Sequence, residues 1–370
     1  MIPSTLVDLR RFAVGHSLFS KTTLRRALVR LAFVQADPIR APARAQDLIL
    51  RLRVAGYRAG DLERQYAKLG VAEDFFINYG FVTPALQTLM HPRPDVTVPT
   101  AGAERWPAER IKRTRLLLKF VAAQREVHPR EVDAHFAHGK VQNYWGGSSN
   151  ATTHLLDQMH YRGLVRVVRR EGGVRIYAAH EHARAKLTLS EKRARLDALV
   201  DVAVRIYAPL PGPSFSFYVR RLRFAVPQWR DEIGAAILRA KARLARVKID
   251  GVDWYWTPDS PPSSDAPDER VSFLTPFDPL VHDRARFERL WGWVYRFEAY
   301  TPPAKRKLGY YALPLLWRDR VIGWANVDSA NGELRVETGY VDGHSPRERS
   351  FVRELDAETE RVRAFLRVTV

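Results

Sequence analysis

The sequence predicts an α+β fold of tandem winged-helix (helix-turn-helix) domains followed by a C-terminal β-rich domain. Three patterns carry that reading. Amphipathic helical runs give way to strand pairs twice before residue 190, the second pair turns on Gly172-Gly173, and after Phe273 the chain becomes aromatic and β-prone.

A first unit is expected over residues 1–104. Leu6, Leu9 and Val14 recur at helical spacing, as do Leu24, Ala27, Leu28 and Leu31 behind a Lys21-Thr22-Thr23 start. Gln35-Ala36-Asp37-Pro38 follows, then a helix expected to begin near Pro42, to carry Leu48, Ile49 and Leu52, and to close at Gly56. Residues 61–66 read as a short helix and 75–83 as a strand or hairpin, while Pro92, Pro94 and Pro99 mark a connector.

The second unit, 105–186, opens with a periodic helix over 111–124 and a shorter one from Pro129 to Phe136. A third helix follows a Ser148-Ser149-Asn150 cap, turns Leu155, Leu156 and Met159 inward and ends at Gly163. Two short strands then flank Glu171-Gly172-Gly173. The third helix is the expected recognition helix, with Arg166, Arg169, Arg170 and Arg175 on the wing. The same topology also serves protein contacts alone.

Within a unit over 187–270, residues 190–246 are expected to be mainly helical, with starts at Ser190-Glu191 and Pro227 and a break at Leu210-Pro211-Gly212-Pro213. It would be a third winged-helix-like unit with a Pro, Ser and Asp linker over 258–270. Residues 271–370 predict two hairpins, turning at 318–320 and at Asn331-Gly332, in a small barrel or curled sheet, then a terminal helix over 354–366.

A chain of 370 residues allows two to four such units at roughly 100–200 residues each. Sixty Lys and Arg against 41 Asp and Glu give a formal charge of +19, which suits a polyanionic partner. Arginine is far commoner than lysine, and its planar fork fits phosphate oxygens and base edges; codon bias is the other source of such an excess. The absence of cysteine excludes disulfides, thiol catalysis and Cys-ligated zinc. No apolar run approaches ~20 residues and the first residues lack a signal-peptide core, so a soluble, cytoplasmic, nucleoid-associated protein is expected, with no membrane partner. No zipper-like heptad is visible, and a monomer is expected.

Neither a Walker nor a Rossmann glycine pattern occurs, which argues against ATP-driven and hydride chemistry. His128, His135, His138, His154, His160 and His180-Glu181-His182 fall on different helices or in a linker and form no HExxH, so neither a metal nor another cofactor is expected.

The stretch 33–46, FVQADPIRAPARAQ, is the candidate site. The residue before a proline is driven to extended backbone, where side chains at i and i+2 share a side, so Gln35 and Asp37 can project together. Arg40 and Arg44, on the helix expected to start near Pro42, add positive charge nearby. A carboxylate and a carboxamide suit hydrolysis of an N-glycosidic bond: one carboxylate can stabilise a cationic sugar and deprotonate water while the amide holds that water. A base alkylated at N7 already carries positive charge and needs no separate general acid. The competing reading is an Asx-type turn capping a helix after Pro38. Further positive charge lies at Arg220 and Arg221, and Lys305, Arg306 and Lys307 follow two prolines where backbone phosphates could be contacted. Asp278 and Asp283 read as catalytic carboxylates or as turn caps, and Glu298 as buried against Arg296 or Arg306.

Val34-Gln35-Ala36-Asp37-Pro38, the basic wing, and the block TPFDP…YRFEAYTPPAKRKLGYYALP together resemble the AlkZ/YcaQ-like DNA glycosylases. The resemblance runs over most of the chain. It implies tandem winged helices and a C-terminal β-domain around a DNA-sized concavity, in a monofunctional, cofactor-free enzyme for alkylated bases and interstrand crosslinks. The family signature is Gln-x-Gln or Gln-x-Asp, and Gln35 and Asp37 match the second form. The resemblance implies that Asp37 activates water and supports the oxocarbenium-like sugar, and that Gln35 positions the water. The chain departs from the family at Asn78-Tyr79, where a His and a Glu are usual, and at Asn326 and Asp328, where an Asp and a Lys are usual. The alternative function is a non-catalytic winged-helix DNA-binding protein, a regulator or architectural factor; RNA or protein binding is a third.

Overall fold

The computed structural model describes residues 2–93, 106–136, 139–142, 148–180, 187–262, 268–330 and 333–367. Pro94, Pro99, His138, Glu181, His182 and the Asn331-Gly332 turn lie outside them.

In chain order the elements are α1 (Leu6–Ser17), α2 (Leu24–Leu31), β1 (Phe33–Gln35), α3 (Ala45–Arg51), α4 (Asp61–Leu69), β2 (Ala72–Phe75), β3 (Tyr79–Val82) and α5 (Pro84–Met90). There follow α6 (Ala108–Gln124), α7 (Pro129–Phe136), β4 (Lys140–Gln142), β5 (Ser148–Asn150), α8 (Ala151–Tyr161), β6 (Val165–Glu171) and β7 (Val174–Ala179). Then come α9 (Leu189–Tyr207), β8 (Leu210–Pro211), α10 (Gly212–Ala225), a 3-10 turn from Pro227, α11 (Ile233–Arg243), β9 (Ala245–Ile249) and β10 (Val252–Trp256). The last stretch holds β11 (Val271–Phe273), α12 (Arg284–Trp291), β12 (Leu313–Trp317), β13 (Arg320–Ala330), β14 (Glu333–Tyr340) and α13 (Arg349–Leu366). Among the described residues no helix is long and apolar enough to cross a membrane.

The chain divides into two compact units: Met1–Leu62 with Asp201–Val219 and Ile237–Val370, and Glu63–Val200 with Arg220–Ala236. In the first, α1 starts in a capping box. The Thr5 hydroxyl accepts from the Asp8 N–H and the Asp8 carboxylate accepts from the Thr5 N–H. Its Leu9 and Ala13 enter a core with Leu52, Ile249, Trp254, Leu274, Leu280, Phe287, Leu290 and Leu316. Two antiparallel sheets flank that core, one of strand order β8-β10-β9 and one of β11-β12-β13-β14.

Inside this unit sits Arg53, fully buried. Its guanidinium donates to the Ser17 carbonyl at 2.9 Å, the Ser17 hydroxyl at 2.9 Å, the Ile49 carbonyl at 2.8 Å and both oxygens of Asp278 at 2.8 and 3.0 Å. The pair is satisfied on both sides, since Asp278 also accepts from the Leu280 N–H. A second buried carboxylate, Glu358 of α13, accepts from Arg51, Arg361 and the Phe273 N–H, and so links α13 to α3 and β11. Burial pushes its pKa up, but the charges of Arg51 and Arg361 prevail and hold it below the ordinary value.

In the second unit Leu117, Val121, Val132, Leu156, Met159, Val165 and Tyr177 close a core between α6, α7, α8 and the β6–β7 hairpin. That hairpin pairs Glu171 with Val174 across Gly172 and Gly173, whose φ values of 54° and 93° are those a two-residue primed turn requires. Pro129 opens α7, as its fixed φ favours.

Several boundaries differ from the sequence reading. Helix α3 begins at Ala45 rather than near Pro42, and ends at Arg51; Gly56, at φ 62°, belongs to the turn beyond. Residues 148–150 form strand β5 directly before α8. The cap of α9 is Thr188, which exchanges hydrogen bonds with Glu191. The β9–β10 hairpin, turning at Asp250 and Gly251, begins at the end of the stretch expected to be helical and was not itself expected. Helix α13 starts five residues early, and the described C-terminal strands form an open four-stranded sheet.

Replacing Asp278 by Asn leaves the Arg53 charge buried and uncompensated, so unfolding free energy by urea titration should drop by about 3–5 kcal/mol. An Asp278→Asn protein as stable as wild type would show that the pair does not hold this unit together.

Candidate active site

Gln35 ends β1 and is buried, with 8% of its surface exposed. Ala36 and Asp37 follow without regular structure, and Asp37 is half-buried. Its Oδ1 accepts the Ile39 N–H at 2.9 Å, which is the Asx-type turn weighed above, although no helix follows until Ala45. The turn engages one carboxylate oxygen and fixes how the group points. Burial raises the Asp37 pKa above 3.8, and the Ile39 N–H works against that rise. Arg40 is exposed and Arg44 is the half-buried residue preceding α3, so neither lies on the helix expected to carry them.

The charge of Asp37 reaches two tyrosines of the same unit. Burial first, then Asp37, pushes the phenol of Tyr300 upward; burial dominates at Tyr311 too, with Asp37 adding to it. Tyr311 is buried, its hydroxyl 3.2 Å from the Thr275 hydroxyl and its ring edge-on to Phe297 at 5.2 Å. Tyr300 instead presents 74% of its surface to solvent and meets Phe297 edge-on at 6.1 Å. Sequence reasoning quoted this stretch without singling out either tyrosine; the clustering of aromatic residues around Thr301-Pro302-Pro303 was the available signal.

Glu298 organises the loop that carries Tyr300. Its Oε2 accepts from the backbone N–H groups of Lys307 and Leu308 at 2.8 Å and Gly309 at 3.3 Å, so the arginine partner expected for it is replaced by main chain. Three N–H donors satisfy a buried carboxylate without needing a counter-charge. Gly309 has φ 126°, and a Cβ there would collide with the Asn326 carboxamide, which donates to the Leu308 carbonyl at 2.8 Å. Asn326, one of the departures noted in the sequence, thus braces this loop. Lys305 and Lys307 are exposed, while Arg306 donates to the Thr301 carbonyl and lies 5.0 Å from the Tyr310 ring centre. Asp278 and Asp283 are turn and cap groups: the first pairs with Arg53, and the second accepts the Arg286 N–H at the start of α12.

The wing residues divide. Arg166 is exposed, and Arg169, also exposed, pairs with Glu126 at 3.0 Å and with Glu171. Arg170 and Arg175 turn inward instead, a correction to their reading as DNA contacts. Glu73 of β2 is buried, and Arg170 holds both its oxygens at 2.7 and 2.6 Å. Arg175 lies 3.8 Å from Glu73 and 2.5 Å from Asp157, over the Tyr79 ring. The Tyr79 hydroxyl donates to Glu73 as well. Burial raises the Glu73 pKa, but the hydrogen bonds and charge of Arg170 prevail and lower it. Arg221 is likewise committed, donating to the Ile77 carbonyl at 2.9 Å and to the Asn78 side chain, whereas Arg220 is exposed. A buried carboxylate calls for a counter-charge and a turn carbonyl for a hydrogen-bond donor, and these arginines supply them.

The histidines also serve structure. His91 pairs with Asp74 at 2.7 Å, and the His160 Nε2 lies 2.8 Å from the Glu73 carbonyl. Among the described residues no three His, Cys, Asp or Glu side chains gather as metal ligands do.

With the geometry in hand, comparison with known proteins is specific. A family model described as DNA glycosylase AlkZ-like matches residues 28–365. Among solved structures, Streptomyces sahachiroi DNA glycosylase AlkZ matches with a TM-score of 0.63 at 12% sequence identity, over 98% of this chain and 97% of its own. At that identity the likeness speaks for the fold.

The two kinds of wing arginine should separate on mutation. Arg170→Ala, which strands the buried Glu73 carboxylate, should lower stability by about 3–5 kcal/mol, whereas Arg166→Ala should stay within about 0.5 kcal/mol of wild type. Thermal and urea unfolding of both variants measure the difference, and equal stability would overturn the inward assignment of Arg170.

Proposed function

The chain belongs to the AlkZ-like DNA glycosylase family, a family of DNA repair enzymes, and from that premise we propose that it hydrolyses the N-glycosidic bond of N7-alkylated purines in duplex DNA. Crosslinks built on such bases would be unhooked by the same chemistry. Membership of an enzyme family sets aside the non-catalytic alternative. The observation that carries the reading is the Asp37 carboxylate, half-buried just past β1 in Gln-x-Asp spacing, oriented through one oxygen, with a charge that raises the phenol pKa of the exposed Tyr300.

An N7-alkylated purine is cationic, so the electrons of the N9–C1′ bond neutralise the base as it leaves. Positive charge then develops on the sugar, and a fixed carboxylate lowers the energy of that state. Asp37 also takes the proton of the water whose oxygen bonds to C1′, with the Gln35 amide positioning that water. No acid is needed on the leaving group, so a single carboxylate suffices. Tyr300 offers its open face to a base, and exposed Arg40, Arg166, Arg220, Lys305 and Lys307 supply phosphate contacts. The helix groups α6–α8 with β6–β7, and α9–α11 with β9–β10, have the order of winged helices. The enzyme would act as a monomer on nucleoid DNA without a cofactor.

Single-turnover release of 7-methylguanine from methylated duplex DNA is the test. Asp37→Asn should cut the rate by about 10²–10⁴-fold and leave duplex affinity within about twofold of wild type; turnover equal to wild type would remove Asp37 from the mechanism. The ionised carboxylate is the active form, so the wild-type rate should fall as pH drops through the raised Asp37 pKa, with a midpoint above 3.8. Tyr300→Leu should weaken binding by about 1–3 kcal/mol if a base stacks on the ring, and Tyr300→Phe should restore it; equal affinity in all three proteins would rule out stacking.

A further inference from the structure

Five cations drawn from four separate stretches of sequence meet within the first unit. Lys21 lies between α1 and α2, Arg51 in the last turn of α3, Arg58 in the turn beyond, Arg270 just before β11 and Arg361 on α13. Together with Gly56, Tyr57, Ala364 and Phe365 they line a cavity of about 300 Å³. Among the described residues no carboxylate lines it. Glu358 stands behind, taking one hydrogen bond each from Arg51 and Arg361 at 2.8 Å, and Glu354 lies 4.0 Å from Arg361, so two acids face five cations. Lys21 and Arg270 have no ion-pair partner among the described residues, and the Nε atoms of Arg51 and Arg270 are buried without a hydrogen-bond acceptor.

This arrangement opposes folding. Like charges gathered at the wall of one cavity repel, and a buried guanidinium N–H without an acceptor loses the hydrogen bond it had to water. The strain registers at Lys21: partial desolvation, then the charges of Arg270, Arg51 and Arg361, lower its pKa to about 8. An adjoining cavity of about 330 Å³ shares Lys21 and Arg270 but is compensated, because Asp268 lines it, Arg11 pairs with Asp319 at 3.5 Å and Arg318 with Glu269 at 2.8 Å. Asp268 also acts on the shared Arg270, but the first cavity, lined by five cations and no described carboxylate, keeps the larger cationic excess.

We propose that the cavity lined by Lys21, Arg51, Arg58, Arg270 and Arg361 binds a phosphate-type oxyanion. Guanidinium forks and an ammonium are the donors that suit tetrahedral phosphate oxygens, and the free Nε–H groups of Arg51 and Arg270 are the donors that lack an acceptor. The phosphate comes either from a DNA backbone, in which case the inference rests on the function proposed above, or from a free phosphorylated small molecule.

Isothermal titration of the full chain with inorganic phosphate, at constant ionic strength, tests the site. Saturable one-to-one binding is expected, with affinity at least tenfold weaker in Arg270→Gln and in Lys21→Gln. Both residues are partnerless at the surface of the cavity, so both variants should melt as wild type does. The absence of saturable binding to wild type, or undiminished affinity in both variants, overturns the proposal. The salt dependence of binding to undamaged duplex then identifies the source. A slope reduced by about one in Arg270→Gln assigns the site to a DNA phosphodiester, and an unchanged slope with phosphate binding lost assigns it to a free phosphate compound. The phosphate titration needs no turnover, so it stands even if the glycosylase assay fails.

Discussion

The first unit depends on one buried ion pair. Arg53 and Asp278 are 225 residues apart in sequence, and neither has solvent to turn to. Moving such a pair out of water is favourable only if every donor and lone pair finds a partner, and here the Ser17, Ile49 and Leu280 backbone supplies the remainder. The pair therefore clamps the end of α1, the α3 helix and the turn at 275–283 in one geometry. Thr275 in that turn meets the Tyr311 hydroxyl, and Tyr311 lies in the field of Asp37. The surroundings of the candidate carboxylate are thus set by a salt bridge that takes no part in its chemistry.

The same demand explains where much of the positive charge goes. A formal excess of +19 invites the expectation that most arginines face a polyanion. Yet Glu73, Asp74, Asp278 and Glu358 are all buried, and each engages at least one arginine: Arg170 and Arg175, Arg93, Arg53, and Arg51 with Arg361. Arginine suits this work because its planar fork can bind a carboxylate and neighbouring carbonyls together. Arg93 shows the pattern, holding Asp74 while donating to the carbonyls of Phe75, Tyr161 and Ala225. Arginine abundance in this chain is therefore partly a matter of internal architecture, and the count overstates the surface available to DNA.

That division also marks what was legible in the sequence. Features fixed by a few consecutive residues could be read: Thr23 capping α2, Pro129 opening α7 and Gly172-Gly173 turning a hairpin, because each depends on local dihedral or donor requirements. The Asp250-Gly251 turn is equally local, with β-prone residues on both sides, and was overlooked just past the expected helical run that ends near residue 246. Partners across the fold could not be read. Nothing near Arg170 in sequence indicates that Glu73, 97 residues away, needs its charge, and nothing near Glu298 says that three backbone N–H groups will take the place of an arginine. The Gln35 and Asp37 spacing stood out as a pattern, while the aromatic loop beside it became visible only when residues 275–311 were folded back.

The two readings of Asp37, turn and catalyst, are compatible on physical grounds. A carboxylate offers about four lone-pair directions, and the Ile39 N–H takes one of them. A group held by that bond loses less freedom on meeting a substrate than one free to rotate, so the turn serves as preorganisation. Burial and the Ile39 N–H pull its pKa in opposite directions, with burial the stronger. The balance yields a more basic carboxylate than an exposed one, while the retained N–H favours the ionised form. Those are the two properties that activating water and facing a sugar cation require of a single residue. An Asx turn at this position therefore strengthens the case for Asp37, because it supplies the orientation that a lone carboxylate would otherwise have to find during each turnover.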